Sequence, residues 1–274
     1  MEVLNRLPNW VAGPVFVVFI VAFSIMGLMY VRRWVHHSKL RSHNDVAGAI
    51  FSIIGTLYTV TLAFVVIIVW ESLGVADERA AREAGTVGDL IRDSGFLPAP
   101  YGPMLQEQIR AYAQTVVKDE WPLMASGQGS PLVWNETAEL FRTFSKLKPV
   151  SPNEVNIHLE ILRSLNDLSV ERRLRLLSSQ SKIPGLMWTV LILGGVITVG
   201  FSYFLGVERD LAHIVMTGAL AAMIAMTLFL VSAINHPFSG DLHVEPDALR
   251  LVLNQYGTMN YPVNADSTTP GSSR

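Results

Sequence analysis

The 274-residue sequence has no cysteine, and only 16% of its residues are charged. The missing cysteine excludes disulfides, thiol catalysis and cysteine-ligated metal sites. Soluble domains usually carry about a quarter charged residues, so a composition that is 50% hydrophobic indicates a large apolar surface that faces something other than water. The net charge of -2 gives no basic field that would attract nucleic acid, and we expect no nucleic-acid partner.

Charge is also missing from four long apolar runs, at residues 11–31, 46–70, 185–205 and 211–234. Each run is long enough to cross a hydrocarbon core of roughly 30 Å as a helix. Arg32 and Arg33 follow the first run where a signal peptide would have a small-residue cleavage site, so we interpret this run as a retained helix. The pattern predicts an all-α, polytopic membrane protein with four transmembrane helices in two hairpins.

The sequence between the hairpins is more polar and predicts a helical extramembrane domain. We place the first hairpin at residues 1–70, this domain at 71–183, the second hairpin at 184–236 and a tail at 237–274, disordered from about 264. Soluble helices are predicted over 104–121, over 132–147 and from an N-cap at Ser151, followed by Pro152, to about residue 182. Asp119 and Glu120 are adjacent and point different ways on a helix, which favours a solvated helix end over a catalytic pair.

The second apolar run contains a narrow line of small and hydroxyl residues, spaced three and four apart: Gly48, Ser52, Gly55, Thr56, Thr59 and Ala63. Such a line allows close helix packing. It could also form the wall of an aqueous pore in a ring of identical subunits, with Leu62 and Val66 as an apolar constriction. The pattern by itself favours packing.

The third and fourth runs have similar small-residue spacings, Gly194, Thr198 and Ser202 in one and Gly218, Ala222 and Ala225 in the other. The short turn at residues 206–210 predicts that these two helices pack as an antiparallel pair.

Catalytic and metal-binding motifs are missing from the sequence. There is no Gly-rich phosphate loop, nucleophile elbow or H-E-x-x-H motif, so we expect neither an enzyme nor a cofactor. His36, His37 and His43 in the basic connector are better explained by contact with lipid headgroups than by a zinc site, because only Asp45 lies nearby as a further ligand.

Several short motifs resemble the bacterial bestrophin-like domain family, membrane proteins distantly related to the bestrophin anion channels. They are the run from His43 to Gly48, Leu57-Tyr58, Val69-Trp70-Glu71 and the run from His236 to Asp241. The resemblance extends from about residue 10 to 252. It implies a multi-pass protein of the bacterial inner membrane, in contact with the lipid bilayer.

The resemblance also implies an oligomeric ion channel, because bestrophins are ring-shaped pentamers whose second helix lines a central pore. It therefore raises the pore interpretation above packing, with small inorganic ions, chiefly chloride, as partners and further copies of the chain completing the ring. The candidate pore-lining residues are Ser52, Gly55, Thr56, Thr59, Leu62, Ala63 and Val66.

The segment from Pro237 to Asp241 is similar to the bestrophin Pro-Phe-Gly motif, whose following acidic residues help to hold calcium in calcium-gated members. Here Ser239 is interposed before Gly240 and the acids are spread out, which disfavours calcium gating. Asp241, Glu245 and Asp247 are the only calcium candidates that the resemblance supplies.

Two questions stay open at the level of sequence. The positive-inside rule places the connector with Arg32 and Arg33 in the cytoplasm, whereas the resemblance places the central domain there, with Arg172, Arg173, Arg175 and Lys182 partly rebalancing the charge. The second question is function, because a non-conducting scaffold or signalling protein acting through the helices of residues 104–182 is the alternative to a channel.

Overall fold

The computed structural model describes residues 9–34, 44–207 and 209–257. These residues form helices joined by turns and irregular segments and contain no strand, which confirms the all-α prediction. The predictions for His36, His37 and His43 and for disorder from residue 264 fall outside the described residues.

Four helices are long and apolar enough to cross a membrane, as predicted. They are α1 (Asn9–Trp34), α2 (Asn44–Ser94), α7 (Gly185–Ser202) and α8 (Asp210–Ile234). Helix α2 has 51 residues and continues well past its apolar part. The other helices are α3 (Tyr101–Thr115), α4 (Trp121–Met124), α5 (Pro131–Phe144), α6 (Pro152–Ser179) and α9 (Asp247–Gly257), with a π-helical turn at Val116–Glu120.

The start of α6 has the capping geometry that its sequence predicts. The Ser151 hydroxyl accepts a hydrogen bond from the backbone N–H of Glu154 at 3.2 Å, and the Glu154 carboxylate accepts one from the N–H of Val150 at 2.8 Å. Two backbone donors at the helix start are therefore satisfied by side chains.

The predicted helix over 104–121 is interrupted in the structure. Helix α3 ends at Thr115, and the next five residues form a π-helical turn before α4 begins at Trp121. A π-helical turn holds an extra residue, so it changes the direction of every side chain that follows it. The hydrophobic pattern of the sequence, interpreted with the 3.6-residue period of an α-helix, does not reveal this change of direction.

The chain divides into two compact units, of which the first comprises residues 1–73 and 181–243. We call it the membrane unit. In it, α8 packs most extensively against α1, where Phe229 lies against Gly13 and the rings of Phe16 and Phe229 are 6.2 Å apart. Gly218, predicted to face α7, lies instead against Val21 and Ile25 of α1.

The second unit comprises residues 74–180 and 244–274, described as far as residue 257. We call it the soluble unit. Its buried core draws on α2, α3, α5 and α6, through Leu90, Ile91, Leu105, Ile109, Leu140, Ile161, Leu165 and Leu168. Helix α9, which lies in the segment predicted to be a tail, packs against α3 with Leu249 buried. Arg110 also donates a hydrogen bond to the carbonyl of Tyr256 at 3.2 Å.

Candidate pore-lining face of the second helix

The apolar part of α2 has three faces of different character, because each residue turns the helix by about 100°. One face is buried in the membrane unit, through Tyr58, Leu62, Val65 and Val69. A second is exposed and bulky, with Ile53, Leu57, Phe64 and Ile68 all more than half exposed. The third is exposed and small, and we call its residues Ser52, Thr56, Thr59 and Ala63 the small edge.

The buried face fixes the rotation of α2 about its own axis. Tyr58 donates a hydrogen bond to the carbonyl of Leu191 at 3.1 Å, and its ring lies directly against Gly194 and Gly195 of α7. A side chain at Gly194 would put a Cβ only 2.5 Å from the Tyr58 Cδ2 atom. The close approach of α2 to α7 therefore requires a glycine at this position.

The small edge borders an open concavity of about 420 Å³, which is lined by Phe51, Ser52, Gly55, Thr56, Thr59 and Val60. The structure thus brings five of the seven candidate pore residues to this edge or its border, with Gly55 half-buried beside it. Leu62 and Val66 are placed differently, since Leu62 is only 8% exposed in the core cluster and Val66 packs against that cluster. These two side chains support the small edge from the interior of the bundle.

Two of the three hydroxyl groups of the small edge donate their hydrogens to the helix itself. Ser52 donates to the carbonyl of Gly48 at 2.9 Å, and Thr56 donates to the carbonyl of Ser52 at 2.7 Å. In this arrangement the oxygen lone pairs remain available on the exposed side. The edge as it stands offers hydrogen-bond acceptors.

A polar cluster near one end of the membrane unit was not predicted from the sequence. Arg32 forms an ion pair with Asp210, and its Nη2 atom lies 2.7 Å from Nδ1 of the buried His213. The other ring nitrogen of His213 lies 2.8 Å from the carbonyl of Ser202. Because a guanidinium can only donate, Nδ1 accepts and the proton of the neutral ring is on Nε2. Arg32, counted above as a connector charge, is thus neutralised by Asp210.

Two predictions about charged residues in the soluble unit are wrong. Glu120 is completely buried and does not lie at a solvated helix end, although its neighbour Asp119 is exposed. Arg172 and Arg175, expected from the sequence to help rebalance the charge of the connector, are 3% and 0% exposed. The π-helical turn changes the direction of Glu120 so that it points at both arginines, which a regular helix would not predict.

These groups form a buried charge network, made of Glu83, Glu120, Arg172 and Arg175. Arg175 donates to Glu83 at 2.5 and 3.1 Å and to Glu120 at 2.7 Å. Arg172 donates to Glu120 at 3.1 and 2.5 Å. The two carboxylates and two guanidinium groups cancel in charge, which makes their burial possible.

The pKa values of Glu120, in the network, and of Tyr112, beside it, are both shifted. Burial by itself would raise the pKa of Glu120, but the hydrogen bond from Arg172 and the charge of Arg175 outweigh burial and hold that pKa below its ordinary value. Tyr112 donates to Glu83 at 2.8 Å, and burial together with the Glu83 charge raises the pKa of Tyr112 well above its ordinary value.

Two of the three calcium candidates form ion pairs with the same arginine. Glu245 and Asp247 both pair with Arg250, at 3.3 and 3.1 Å, whereas Asp241 belongs to the membrane unit. Within the described ranges, no three His, Asp or Glu side chains form a group that could hold a metal ion.

Four helices that are long and apolar enough to cross a membrane, one of them continuing into a second compact helical unit, are typical of a helical membrane protein. The Bestrophin-like domain matches residues 18–249, so the chain belongs to the Bestrophin-like family. This confirms the resemblance drawn from the motifs, and family membership supports a channel-like protein in general. None of the curated proteins matches the sequence.

The fold is similar to that of solved bestrophin homologues. A crystal structure of a bacterial bestrophin homolog from Klebsiella pneumoniae, carrying one substitution, aligns with a TM-score of 0.67 at 12% identity, covering 88% of this chain and 99% of that one. A second variant of the homolog aligns with a TM-score of 0.61 at 13% identity, covering 90% and 98%. A crystal structure of a membrane protein variant aligns with a TM-score of 0.66 at 11% identity, covering 87% of this chain and 96% of that one. At these identities the likeness concerns the fold.

Proposed function

We propose that this chain forms an ion-conducting homo-oligomer in the cell membrane, crossing the bilayer four times, with the small edge of α2 lining the pore. The observation that carries the proposal is the difference between the two exposed faces of α2. Leu57 and Phe64 on the bulky face are 66% and 61% exposed, as expected of side chains in contact with lipid tails. The small edge has hydroxyl groups and little apolar surface, which suits water better than lipid.

The rest of α2 is consistent with this role. No charged residue lies between Asp45 and Glu71, and a passive pore can work with hydroxyl groups and backbone dipoles alone. Several copies of the chain are needed, because one exposed edge cannot enclose a channel. The small edges of these copies, pentameric if the assembly follows the bestrophins, would surround the common axis, and Leu62 and Val66 would support them from behind.

The cysteine-free sequence allows a direct test of the pore face. Ser52→Cys, Thr56→Cys and Thr59→Cys variants in planar bilayers should lose roughly half of their current or more when a charged methanethiosulfonate reagent is added, since the modified side chain would obstruct the pore. Leu57→Cys and Phe64→Cys are matched controls from the bulky face and should keep their current. Block at the two controls alone would refute the assignment of the face.

If no variant conducts before or after modification, the scaffold alternative replaces the channel. In that case changes on the soluble helices, and none on the small edge, would alter the phenotype of the cell.

Anions are the first candidate for the conducted ion, because the family is related to anion channels. Cations are the second, because the hydroxyl hydrogens of Ser52 and Thr56 are donated to backbone carbonyls and the exposed lone pairs attract positive charge. A potassium chloride gradient across the bilayer separates the two. A reversal potential near the chloride equilibrium value supports anion conduction, and one near the potassium value supports the hydroxyl argument while leaving the pore in place.

A further inference from the structure

In the soluble unit, the stretch between Glu120 and Glu136 contains no charged residue. We call residues 121–135 the tip segment; it comprises α4, a loop and the first turn of α5. Three of its large apolar side chains are exposed, with Leu123 at 36%, Leu132 at 54% and Trp134 at 62%. Trp121, Met124 and Val133 are buried, so the segment is anchored in the core and presents its other side outwards.

Contacts at the end of α6 fix the position of the loop. The side-chain amide of Gln180 donates to the carbonyl of Gly127 at 3.2 Å, and Leu176 lies against Gly129. Gln180 is followed five residues later by Gly185, where the spanning helix α7 begins. Five extended residues reach at most about 18 Å, so the loop is tethered close to the point where the chain enters the membrane.

The C-terminal end of α5 lies beside the start of α6, at the end of α6 opposite to Gln180. Phe144, the last residue of α5, stacks on His158 at 4.2 Å, and His158 is in the second turn of α6. Helix α5 therefore runs antiparallel to α6. Its N-terminal end lies beside the C-terminal end of α6, from which the chain continues to α7. The exposed residues of the tip segment lie at that end.

We propose that the tip segment contacts the bilayer in its headgroup region, as an interfacial anchor of the soluble unit. Leu123 and Leu132 would enter the boundary of the acyl chains, and Trp134 suits the interface because its ring has an apolar body and a polar N–H. Arg172 lies 4.5 Å over the Trp134 ring and holds it from the protein side. The absence of charge lowers the cost of displacing water from this surface.

A second copy of the chain is a less suitable occupant. A stable protein interface buries about 800 Å² on each partner, and three partly exposed side chains fall short of that area. A lipid surface has no such minimum, since each side chain that enters the interface contributes separately.

Single-cysteine variants of the full chain test the contact, because the natural sequence contributes no competing thiol. Leu132→Cys is labelled with an environment-sensitive fluorophore, and the protein is reconstituted in phosphatidylcholine and phosphatidylglycerol vesicles that include a headgroup spin-labelled quencher lipid. Leu186→Cys, 76% exposed in the first turn of α7, is the control for a position in the membrane. Val150→Cys, 89% exposed just before α6, is the control for a position in water.

We expect quenching at Leu132→Cys to exceed that at Val150→Cys by roughly threefold, and Leu123→Cys to give the same result. Quenching equal to that of Val150→Cys would overturn the proposal. So would energy transfer between labels on two copies without lipid quenching, which would assign the segment to a contact between subunits. Neither readout depends on ion conduction, so failure here leaves the pore proposal untouched.

Discussion

The two units of this chain differ in the contacts that join their helices. In the membrane unit, helices approach through contacts between an aromatic ring and a glycine, such as Tyr58 on Gly194 and Phe229 on Gly13. In the soluble unit, four ionised side chains are buried together between α2, the π-helical turn and α6. Aromatic rings on glycines thus join helices in the membrane unit, and a buried network of four charges joins helices in the other unit.

The comparison shows where a protein can tolerate ionised groups in its interior. A charge in a lipid-facing helix has few partners and costs several kcal/mol to insert. In a soluble core, Arg175 can be surrounded by Glu83, Glu120 and the sulfur of Met124. Removing one charged side chain leaves its partners buried with an uncompensated charge. The stability of the soluble unit should therefore be sensitive to single substitutions in the network.

The largest effect is expected from Arg175→Met, which leaves Glu83 without its guanidinium and Glu120 with one of two. We expect a loss of about 3–5 kcal/mol in the unfolding free energy of the soluble unit, measured as a fall in the thermal midpoint in detergent. Arg173→Met is the matched control, because Arg173 is exposed two residues away in the same helix. Equal midpoints for the two variants would show that the network contributes no stability.

Acid should weaken the soluble unit in the same way but less strongly, since a protonated carboxyl is neutral and can still form hydrogen bonds. The pKa of Glu120 is lowered in the folded state, so its contribution to stability is fully present above its unfolded value of about 4.3. That contribution is lost as the pH falls through the lower folded pKa. Thermal midpoints measured from neutral to acid pH should decline in that range, and the decline should be shallower in Glu120→Gln.

The membrane unit should respond to added volume. Gly194→Ala places a methyl group against the Tyr58 ring, which must move, at a cost of about 1–3 kcal/mol. Gly200→Ala in the same helix meets nothing within 4 Å and should leave the thermal midpoint unchanged. If Gly194→Ala is as stable as Gly200→Ala, the close approach of α2 to α7 does not exist as described.

The sequence predicts the membrane unit much better than the soluble one. Four uncharged runs and the Ser151 cap are local patterns, and the helices follow them. The sequence does not predict that Gly218 packs against α1. Small residues indicate that a helix face packs closely, but they do not indicate which helix packs against it. Glu120 was missed because its direction depends on a π-helical turn and on arginines 52 and 55 positions away. A local signal existed in the arginines, since Arg172 and Arg175 share a face with Leu165 and Leu168 in an otherwise apolar stripe.

The smallest effect is expected from Tyr58→Phe, which removes the hydrogen bond to the Leu191 carbonyl and keeps the ring on Gly194. The expected loss is about 0.5–1.5 kcal/mol, measurable as a small shift in the thermal midpoint. Tyr58→Leu should cost more, because it also removes the aromatic contact that fixes the rotation of α2. If the small edge lines a pore, Tyr58→Leu should then change the single-channel conductance, while Tyr58→Phe should leave it near the natural value. Equal conductance in all three proteins would mean that the rotation of α2 is set by contacts other than Tyr58.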